Sequence, residues 1–177
     1  RRADVGMLAA LGQTLVAVVK KPLVGIISSG DEIVPAEDVP PPGCVRDINR
    51  HTIFAAVRDA SSIPIWLGLT PDSLGSVKKL LAEGMEQADI VIISGGSSMG
   101  SRDFVIEAIK SYADSEIMVH GVSIAPGKPF IMSRIGTKAV IGLPGHPVSA
   151  LVCFEQFVVP ILRRLEGEDS SVPFIKP

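Results

Sequence analysis

The fold is decided by two stretches of the sequence, Leu-Val-Gly-Ile-Ile-Ser at residues 23–28 and Asp-Ile-Val-Ile-Ile-Ser at residues 89–94. Both runs are rich in β-branched residues and lack the polar–apolar alternation of a strand with one solvent-exposed face. Each is therefore expected to be a strand that is buried on both sides. Strands of this kind belong to parallel sheets that helices cover on both faces.

Strand and helix patterns alternate on either side of these two runs. Further strands are expected at residues 63–69, 117–122, 130–133 and 139–142. Helical spacing predicts helices around residues 53–60, from Ser73 to about residue 88, at residues 104–109, and at 148–165 with a bend or break at Pro160. This alternation predicts a three-layer α/β/α domain with a mostly parallel central sheet.

The predicted domain covers residues 21–166. Residues 1–20 fit poorly as a strand–helix unit, and we interpret them as the tail of a preceding domain or a linker. Residues 167–177 contain two prolines among small and acidic residues, which is typical of a linker, here to a further C-terminal domain.

Composition excludes several classes of function. The chain has 177 residues, of which 46% are hydrophobic, and 17 basic against 19 acidic side chains give a net charge of −2. A general nucleic-acid coat and a polybasic membrane anchor are disfavoured by this balance. No run reaches the roughly 18 apolar residues of a membrane span. Cys44 and Cys153 form no CxxC pair, so free thiols and a cytoplasmic location are expected.

Glycine, proline and charged residues collect where the predicted strands end. They occur at residues 30–32, 71–72, 95–103, 126–129 and 143–147. Because the carboxyl ends of parallel strands meet at one edge of a sheet, where ligands bind, five such loops predict one extended site.

The loop after residue 94 is the candidate anion cradle, because glycines allow close approach to the backbone and serines add hydroxyl donors. Its residues are Ser94, Gly95, Gly96, Ser97, Ser98 and Gly100. It matches neither a GxxxxGK[ST] nor a GxGxxG motif, and a glycine-rich turn without a ligand is the alternative. Lys128, held between Gly127 and Pro129, is presented rigidly enough to bind an oxyanion; a solvated loop lysine is its alternative.

Three acids fall at the same predicted edge: Glu32, Asp72 and Asp103. Unit charges about 5 Å apart repel by roughly 3 kcal/mol at an effective dielectric constant of about 20. Converging acids therefore need a cation, a shared proton or polar ligand groups, and a hard oxygen site suits Mg²⁺. Asp47 and Asn49 are possible additional ligands, or they cap the helix that follows.

Each acid also has a local interpretation. Asp72 fits the first turn of a helix that is capped by Thr70 and has Pro71 at its first position. Asp103 fits the start of its own helix, and Glu32 fits an exposed turn.

Taken in order, these motifs resemble those of MoeA-type molybdopterin molybdotransferases, over roughly residues 21–167. The matching segments are Ser29-Gly30-Asp31-Glu32-Ile33, Gly43 with Arg46-Asp47-Ile48-Asn49, Pro71-Asp72, residues 94–100 with Asp103-Phe104, Pro126-Gly127-Lys128-Pro129, and Gly142-Leu143-Pro144-Gly145 with Pro147-Val148-Ser149-Ala150.

The resemblance implies a molybdopterin-binding α/β domain similar to MogA and to the gephyrin E domain. It implies insertion of molybdate into adenylylated molybdopterin with release of AMP, a divalent cation that is usually Mg²⁺, a homodimer, and a MogA-type adenylyltransferase as a partner. The family's functional acids match Glu32, Asp72 and Asp103, which would hold the metal, and its basic loop matches Lys128. The implied binding residues also include Pro126, Gly127, Pro144, Gly145, His146 and Pro147.

Two residues depart from the family pattern at the expected molybdate end. Ala125 stands where many members have a second basic residue, and His146 stands where the family usually has Asn. Two other functions fit the motifs: a MogA-like transfer of an adenylyl group from ATP to molybdopterin, and a non-catalytic binding or scaffold module. An assay for ATP-dependent AMP transfer distinguishes the first alternative from molybdate insertion. A titration with molybdopterin distinguishes the second alternative from it.

Overall fold

The computed structural model describes residues 2–95 and 101–168, except for the side chains of residues 101–103. The helices are α1 (Arg2–Ala10), α2 (Asn49–Asp59), α3 (Leu74–Gln87), α4 (Ser101–Lys110), α5 (Pro147–Cys153) and α6 (Val159–Leu165). The strands are β1 (Leu23–Ser29), β2 (Ile33–Val34), β3 (Val45–Arg46), β4 (Ile63–Thr70), β5 (Ile90–Gly95), β6 (Ser115–His120), β7 (Ile131–Ile135) and β8 (Lys138–Leu143).

Six strands form the central sheet, in the order β4-β1-β5-β8-β7-β6. Strands β4, β1, β5 and β8 are mutually parallel, and β7 runs antiparallel to both of its neighbours. β6 therefore points the same way as the four parallel strands. The carboxyl ends of five strands meet at one edge, and the predicted mostly parallel sheet is confirmed.

Helices cover both faces of the sheet because alternate residues of each central strand point to opposite sides. In β5, Ile90 and Ile92 pack in a core with α2, α5 and α6. Val91 and Ile93 pack in a second core with α3 and α4. The continuous apolar runs are thus explained by burial on two sides, and the predicted three-layer α/β/α fold is confirmed.

Helix α3 begins at Leu74, three residues after the start at Pro71 that one interpretation of the sequence gave it. Ser73 is the N-cap, and its hydroxyl oxygen accepts a hydrogen bond from the backbone N–H of Ser76 at 3.4 Å. The interpretation with Thr70 as the cap and Pro71 at the first helical position was therefore wrong. Thr70 instead ends β4, which leaves Asp72 in the loop at the carboxyl edge.

The C-terminal helix is interrupted by a π-helical segment, Phe154–Val158, between α5 and α6. Pro160 has no backbone N–H, and its ring crowds the carbonyl four residues earlier, which a widened turn relieves. The predicted interruption is confirmed, although it precedes the proline.

Residues before β1 pack loosely. No residue of α1 is buried, and Leu15 and Val18 are largely exposed. Within the described residues, no helix has the length and apolar character needed to cross a membrane.

Candidate functional site

The site lies between two neighbouring strands whose connections lead to opposite sides of the sheet. After β1 the chain passes through α2 to β4 on one side, whereas after β5 it passes through α4 to strands on the other side. A crevice opens between two neighbouring strands at such a switch point, and ligands of open α/β sheets bind there. Here the two strands are β1 and β5, which end at the paired residues Ser29 and Gly95.

Gly95 allows the two strand ends to approach closely. Its φ is +140°, and a Cβ atom at this position would overlap the backbone carbonyl oxygen of Ser29. Because the obstacle is backbone, it cannot rotate away as a side chain could. A glycine is therefore required at the inner end of the predicted anion cradle.

A cleft of about 330 Å³ occupies this switch point. Its walls come from the ends of β1 and β5, the segment that leads into α2, and the loop before α5. The lining residues are Ser28, Ser29, Glu32, Ile33, Val45, Arg46, Asp47, Ile48, Asn49, Ser94, Gly95, Gly145, His146 and Pro147.

Asn49 ties three of these segments together. It is the first residue of α2 and is only 7% exposed. Its side-chain amide donates to Ser94 Oγ at 2.8 Å and to the backbone carbonyl of Gly145 at 2.7 Å. One side chain thus fixes the start of α2 against the end of β5 and the loop that precedes α5.

Three buried polar atoms of the cleft have no hydrogen-bond partner: Ser28 Oγ, Asp47 Oδ2 and Asn49 Oδ1. In the part of the chain that the structure describes, only two other buried side-chain oxygens share this condition. Leaving such a group unsatisfied costs about 1–3 kcal/mol. Their concentration in one cleft indicates that a ligand or trapped water completes them.

The acidic residues are only partly brought together. Glu32 lines the cleft. Asp72 does not line it, but one of its carboxylate oxygens accepts a hydrogen bond from the hydroxyl of Ser29, which does. Asp31 Oδ1 accepts from the backbone N–H of Asp72 at 3.0 Å and links the β1 and β4 loops. The side chain of Asp103 lies outside the described residues.

No group of three His, Cys, Asp or Glu side chains is placed to hold a metal among the side chains that are described. Asp47 takes the local role considered for it, because its Oδ1 accepts from the backbone N–H of Arg50 at 2.9 Å in the first turn of α2. Its second oxygen remains free for another partner.

Lys128 occupies a second hollow on the same edge. This hollow of about 300 Å³ is lined by His120, Gly121, Lys128 and Pro129. The expectation of one continuous pocket is not met within the described residues. β8 and β7 separate β5 from β6, and three strand spacings correspond to about 14 Å.

The loop that carries Lys128 packs against α5. Gly127 is buried with a φ of +130°, and a Cβ atom there would lie 2.8 Å from Cys153 Sγ. The thiol of Cys153 donates to the Gly127 carbonyl at 3.4 Å. Burial raises the pKa of this thiol, which keeps it protonated as a donor.

A family model described as "probable molybdopterin binding domain" matches residues 25–164. This match covers well over half of the 177 residues. The chain belongs to that family. The matched range contains both hollows and all four catalytic residues that the sequence predicted.

This molybdopterin-binding domain resembles part of several longer proteins. A molybdopterin molybdenumtransferase from Nostoc sp. is 34% identical over 168 residues, which is 93% of this chain and 38% of the relative. A structure of a MoeA molybdopterin biosynthesis protein from Pyrococcus horikoshii aligns with a TM-score of 0.83 and 37% identity, over 95% of this chain and 41% of that one. The chain therefore spans about two-fifths of their length.

The fold alone extends to a smaller relative. The molybdopterin biosynthesis enzyme MoaB from Thermus thermophilus has 21% identity and a TM-score of 0.63, and the alignment covers 83% of this chain and 98% of that protein. The predicted fold class, similar to stand-alone proteins of this kind, is confirmed.

In this family member the predicted binding residues divide into three groups. Ser94, Gly95, Gly145, His146 and Pro147 line the cleft. Pro126 and Gly127 belong to the Lys128 loop, where the bond between Ala125 and Pro126 is cis, and Pro144 is buried in the loop that follows β8. Gly96, Ser97, Ser98 and Gly100 lie outside the described residues.

Ser28, Ser29 and Arg46 line the cleft but were not predicted as binding residues. Ser28 ends an apolar strand run, and that position at the strand end was the available signal. Arg46 stands beside Asp47 in one of the motifs that carry the family resemblance, which was its available signal, and the pairing of β2 with β3 fixes its place.

A larger hollow of about 560 Å³ lies on the outer side of α2 and β4. Its lining includes Phe54, Arg58 and Trp66, and the guanidinium of Arg50 stacks 4.5 Å from the centre of the Trp66 ring. We assign the functional site to the smaller cleft because that cleft lies at the switch point and contains the three unsatisfied polar atoms.

Proposed function

We propose that this chain is the substrate-binding part of an enzyme that inserts molybdate into adenylylated molybdopterin and releases AMP. The observation that carries the proposal is the polar cleft at the β1–β5 switch point, with three unsatisfied buried oxygens, in a member of a molybdopterin-binding family. The Nostoc relative, which is named a molybdopterin molybdenumtransferase, supports the reaction.

A carboxylate that lines the cleft and one that is hydrogen-bonded to a cleft residue fit a magnesium ion. Mg²⁺ is usually held by one or two carboxylates together with substrate phosphates and water. Glu32 in the cleft wall and Asp72 beside Ser29 offer such oxygens, and Asp103 is the third proposed ligand. When bound, the ion would offset the negative charge of the pyrophosphate that links AMP to molybdopterin.

Hydrogen bonds hold Asp72 in a fixed position. Its carboxylate accepts from Ser29 Oγ, and its backbone N–H donates to Asp31. Such a preorganised group needs little rearrangement when a charged substrate arrives. Asp72 is therefore the residue through which the β4 loop contributes to the reaction.

Lys128 is proposed to bind the incoming oxyanion in the second hollow. Its exposed ammonium projects from a loop that Gly127 and Cys153 hold against α5. His120 lines the same hollow and is a second group able to donate to an oxyanion. In this arrangement the organic substrate fills the cleft, and molybdate approaches from the β6–β7 side.

The remaining parts of the proposal concern the longer protein. We place it in the cytoplasm, which the free thiols of Cys44 and Cys153 support. We propose that it acts as a homodimer and receives its substrate from a MogA-type adenylyltransferase, as the family resemblance implies.

Release of AMP by the full-length protein tests the reaction. Adenylylated molybdopterin is mixed with molybdate and Mg²⁺, and AMP is quantified by chromatography. Asp72→Asn preserves the hydrogen bond from Ser29 but removes the charge, so the rate of AMP release should fall by about 100-fold or more. Asp38→Asn, at an exposed loop acid, is the matched control and should leave the rate unchanged. A wild-type rate for Asp72→Asn would remove this residue from the mechanism.

A further inference from the structure

The unsatisfied atoms of the cleft form a defined pattern of donors and acceptors. Asp47 Oδ1 is already occupied by the N–H of Arg50, so Oδ2 is its free acceptor. Asn49 must turn its NH₂ group toward the Gly145 carbonyl, which can only accept, so its free atom is the Oδ1 acceptor. Ser28 adds a hydroxyl that is able to donate.

These three groups are also rigidly placed. Ser28, Asp47 and Asn49 are 2%, 5% and 7% exposed, respectively. Asp47 is fixed by the first turn of α2, and Asn49 by its two bonds to Ser94 and Gly145. Binding of a ligand to these two acceptors and one donor therefore does not require the side chains to be ordered, which lowers the free-energy cost of binding.

The pyrimidine ring of a pterin carries the complementary edge. Its 2-amino group and its N3–H are donors, and its 4-oxo group is an acceptor. Two acceptors and one hydroxyl donor in the cleft wall match this edge group for group. Phosphates and the adenine ring lack this combination. A phosphate oxygen only accepts, and adenine has a 6-amino donor beside the N1 and N7 acceptors but no ring N–H donor next to the amino group.

We infer that Asp47, Asn49 and Ser28 read the pyrimidine edge of the pterin and so determine the cleft's specificity for a 2-amino-4-oxo heterocycle. This inference rests on the proposed binding of molybdopterin. It adds that the pterin end of that molecule lies deepest in the cleft. The pyrophosphate then extends outward, toward Glu32 and the β4 loop.

Lumazine provides the discriminating ligand, because it carries a 2-oxo acceptor in place of the 2-amino donor of pterin. Each heterocycle is titrated into the 177-residue chain by calorimetry, with molybdopterin as the reference ligand. In this inference Asp47 accepts from the 2-amino group. The wild-type chain should therefore bind pterin at least about tenfold more tightly than lumazine, because lumazine presents its 2-oxo oxygen to that carboxylate.

Asp47→Asn should abolish or reverse this preference. Asn is an equally good cap for the N–H of Arg50, and its NH₂ group then stands where the carboxylate oxygen stood, so it donates to the 2-oxo group of lumazine. The pterin-to-lumazine affinity ratio should fall at least about tenfold. Asp38→Asn removes an exposed acid and should keep the wild-type ratio.

Ser28→Ala provides an independent test, because both heterocycles share the 4-oxo group. Both affinities should fall by a similar factor of several-fold, and the ratio should stay unchanged. Unchanged affinities for Ser28→Ala, or a wild-type ratio for a folded Asp47→Asn, would overturn the inference.

The outcomes separate the inference from the proposed function. If molybdopterin binds but the wild-type chain treats pterin and lumazine alike, or binds neither at millimolar concentration, the inference fails and the proposed function stands. If molybdopterin itself does not bind, the proposed function fails and the inference fails with it.

Discussion

At position 95 the two central strands leave no room for a side chain. The φ of +140° disfavours any L-residue, and a Cβ atom would overlap the carbonyl oxygen of Ser29. Gly95 pairs with Ser29 in the sheet and also lines the cleft. The same residue therefore closes the fold at the switch point and brings backbone groups within reach of a ligand.

Gly95→Ala should destabilise the chain by about 3 kcal/mol, through backbone strain and overpacking. For a chain of this size the loss corresponds to a fall in Tm of roughly 6–12 °C, measured by circular dichroism. Gly75→Ala is the matched control, because a Cβ atom there meets nothing within 4 Å and Gly75 lies in α3. It should be neutral or slightly stabilising. Equal Tm values for the two variants would contradict the close approach of β1 and β5.

Individual elements were predictable where local chemistry decides them. The runs at residues 23–28 and 89–94 became β1 and β5 with ends displaced by one residue, because burial on both faces leaves an unmistakable apolar pattern. The strand predicted at 117–122 became Ser115–His120, since its one-sided exposure gives a weaker signal. The order of the strands was not predictable, because the local pattern of residues does not reveal which strands pair over long distances along the chain.

Strand order is also what divided the predicted site. The sequence placed Lys128 at the correct edge of the sheet, but β8 and β7 return between β5 and β6 and carry the lysine loop away from the cleft. Asn49 and Asp47 were recognised only as possible ligands or caps. Their roles at the cleft depend on contacts with Ser94 and Gly145, which are 45 and 96 residues away from Asn49.

The contact between α5 and the Lys128 loop predicts a pH dependence of stability. Burial raises the pKa of the Cys153 thiol in the folded state, so the unfolded chain loses this proton at lower pH than the folded chain does. Between the ordinary thiol pKa of about 8.5 and the higher folded value, the unfolded state binds fewer protons, and stability falls as pH rises.

Urea unfolding at pH 7 and pH 9.5 measures this effect. The free energy of unfolding of the wild-type chain should fall by about 0.5–1 kcal/mol more than that of Cys153→Ser. Cys44→Ser, in the Pro/Gly loop, controls for loss of a thiol. Burial and the charge of Glu86 raise the pKa of Tyr112, so its ionisation stays above this pH range. Parallel behaviour of wild type and Cys153→Ser would contradict the buried contact with Gly127.

For the whole molecule, the topology selects one hollow among several. A hollow of about 560 Å³, larger than the cleft, lies beside α2 and β4, whereas the unsatisfied polar atoms and the cradle glycine lie at the β1–β5 switch point. The central claim is that molybdopterin binds in this smaller cleft.

Backbone amide chemical shifts of the ¹⁵N-labelled chain, recorded during an anaerobic titration with molybdopterin, locate the binding site residue by residue. We expect saturable shifts that are largest at Ser29, Asn49, Gly95 and Gly145, with little change at Arg58 and Trp66. Saturable shifts centred on Arg58 and Trp66, with the cleft residues unmoved, would contradict binding in the cleft.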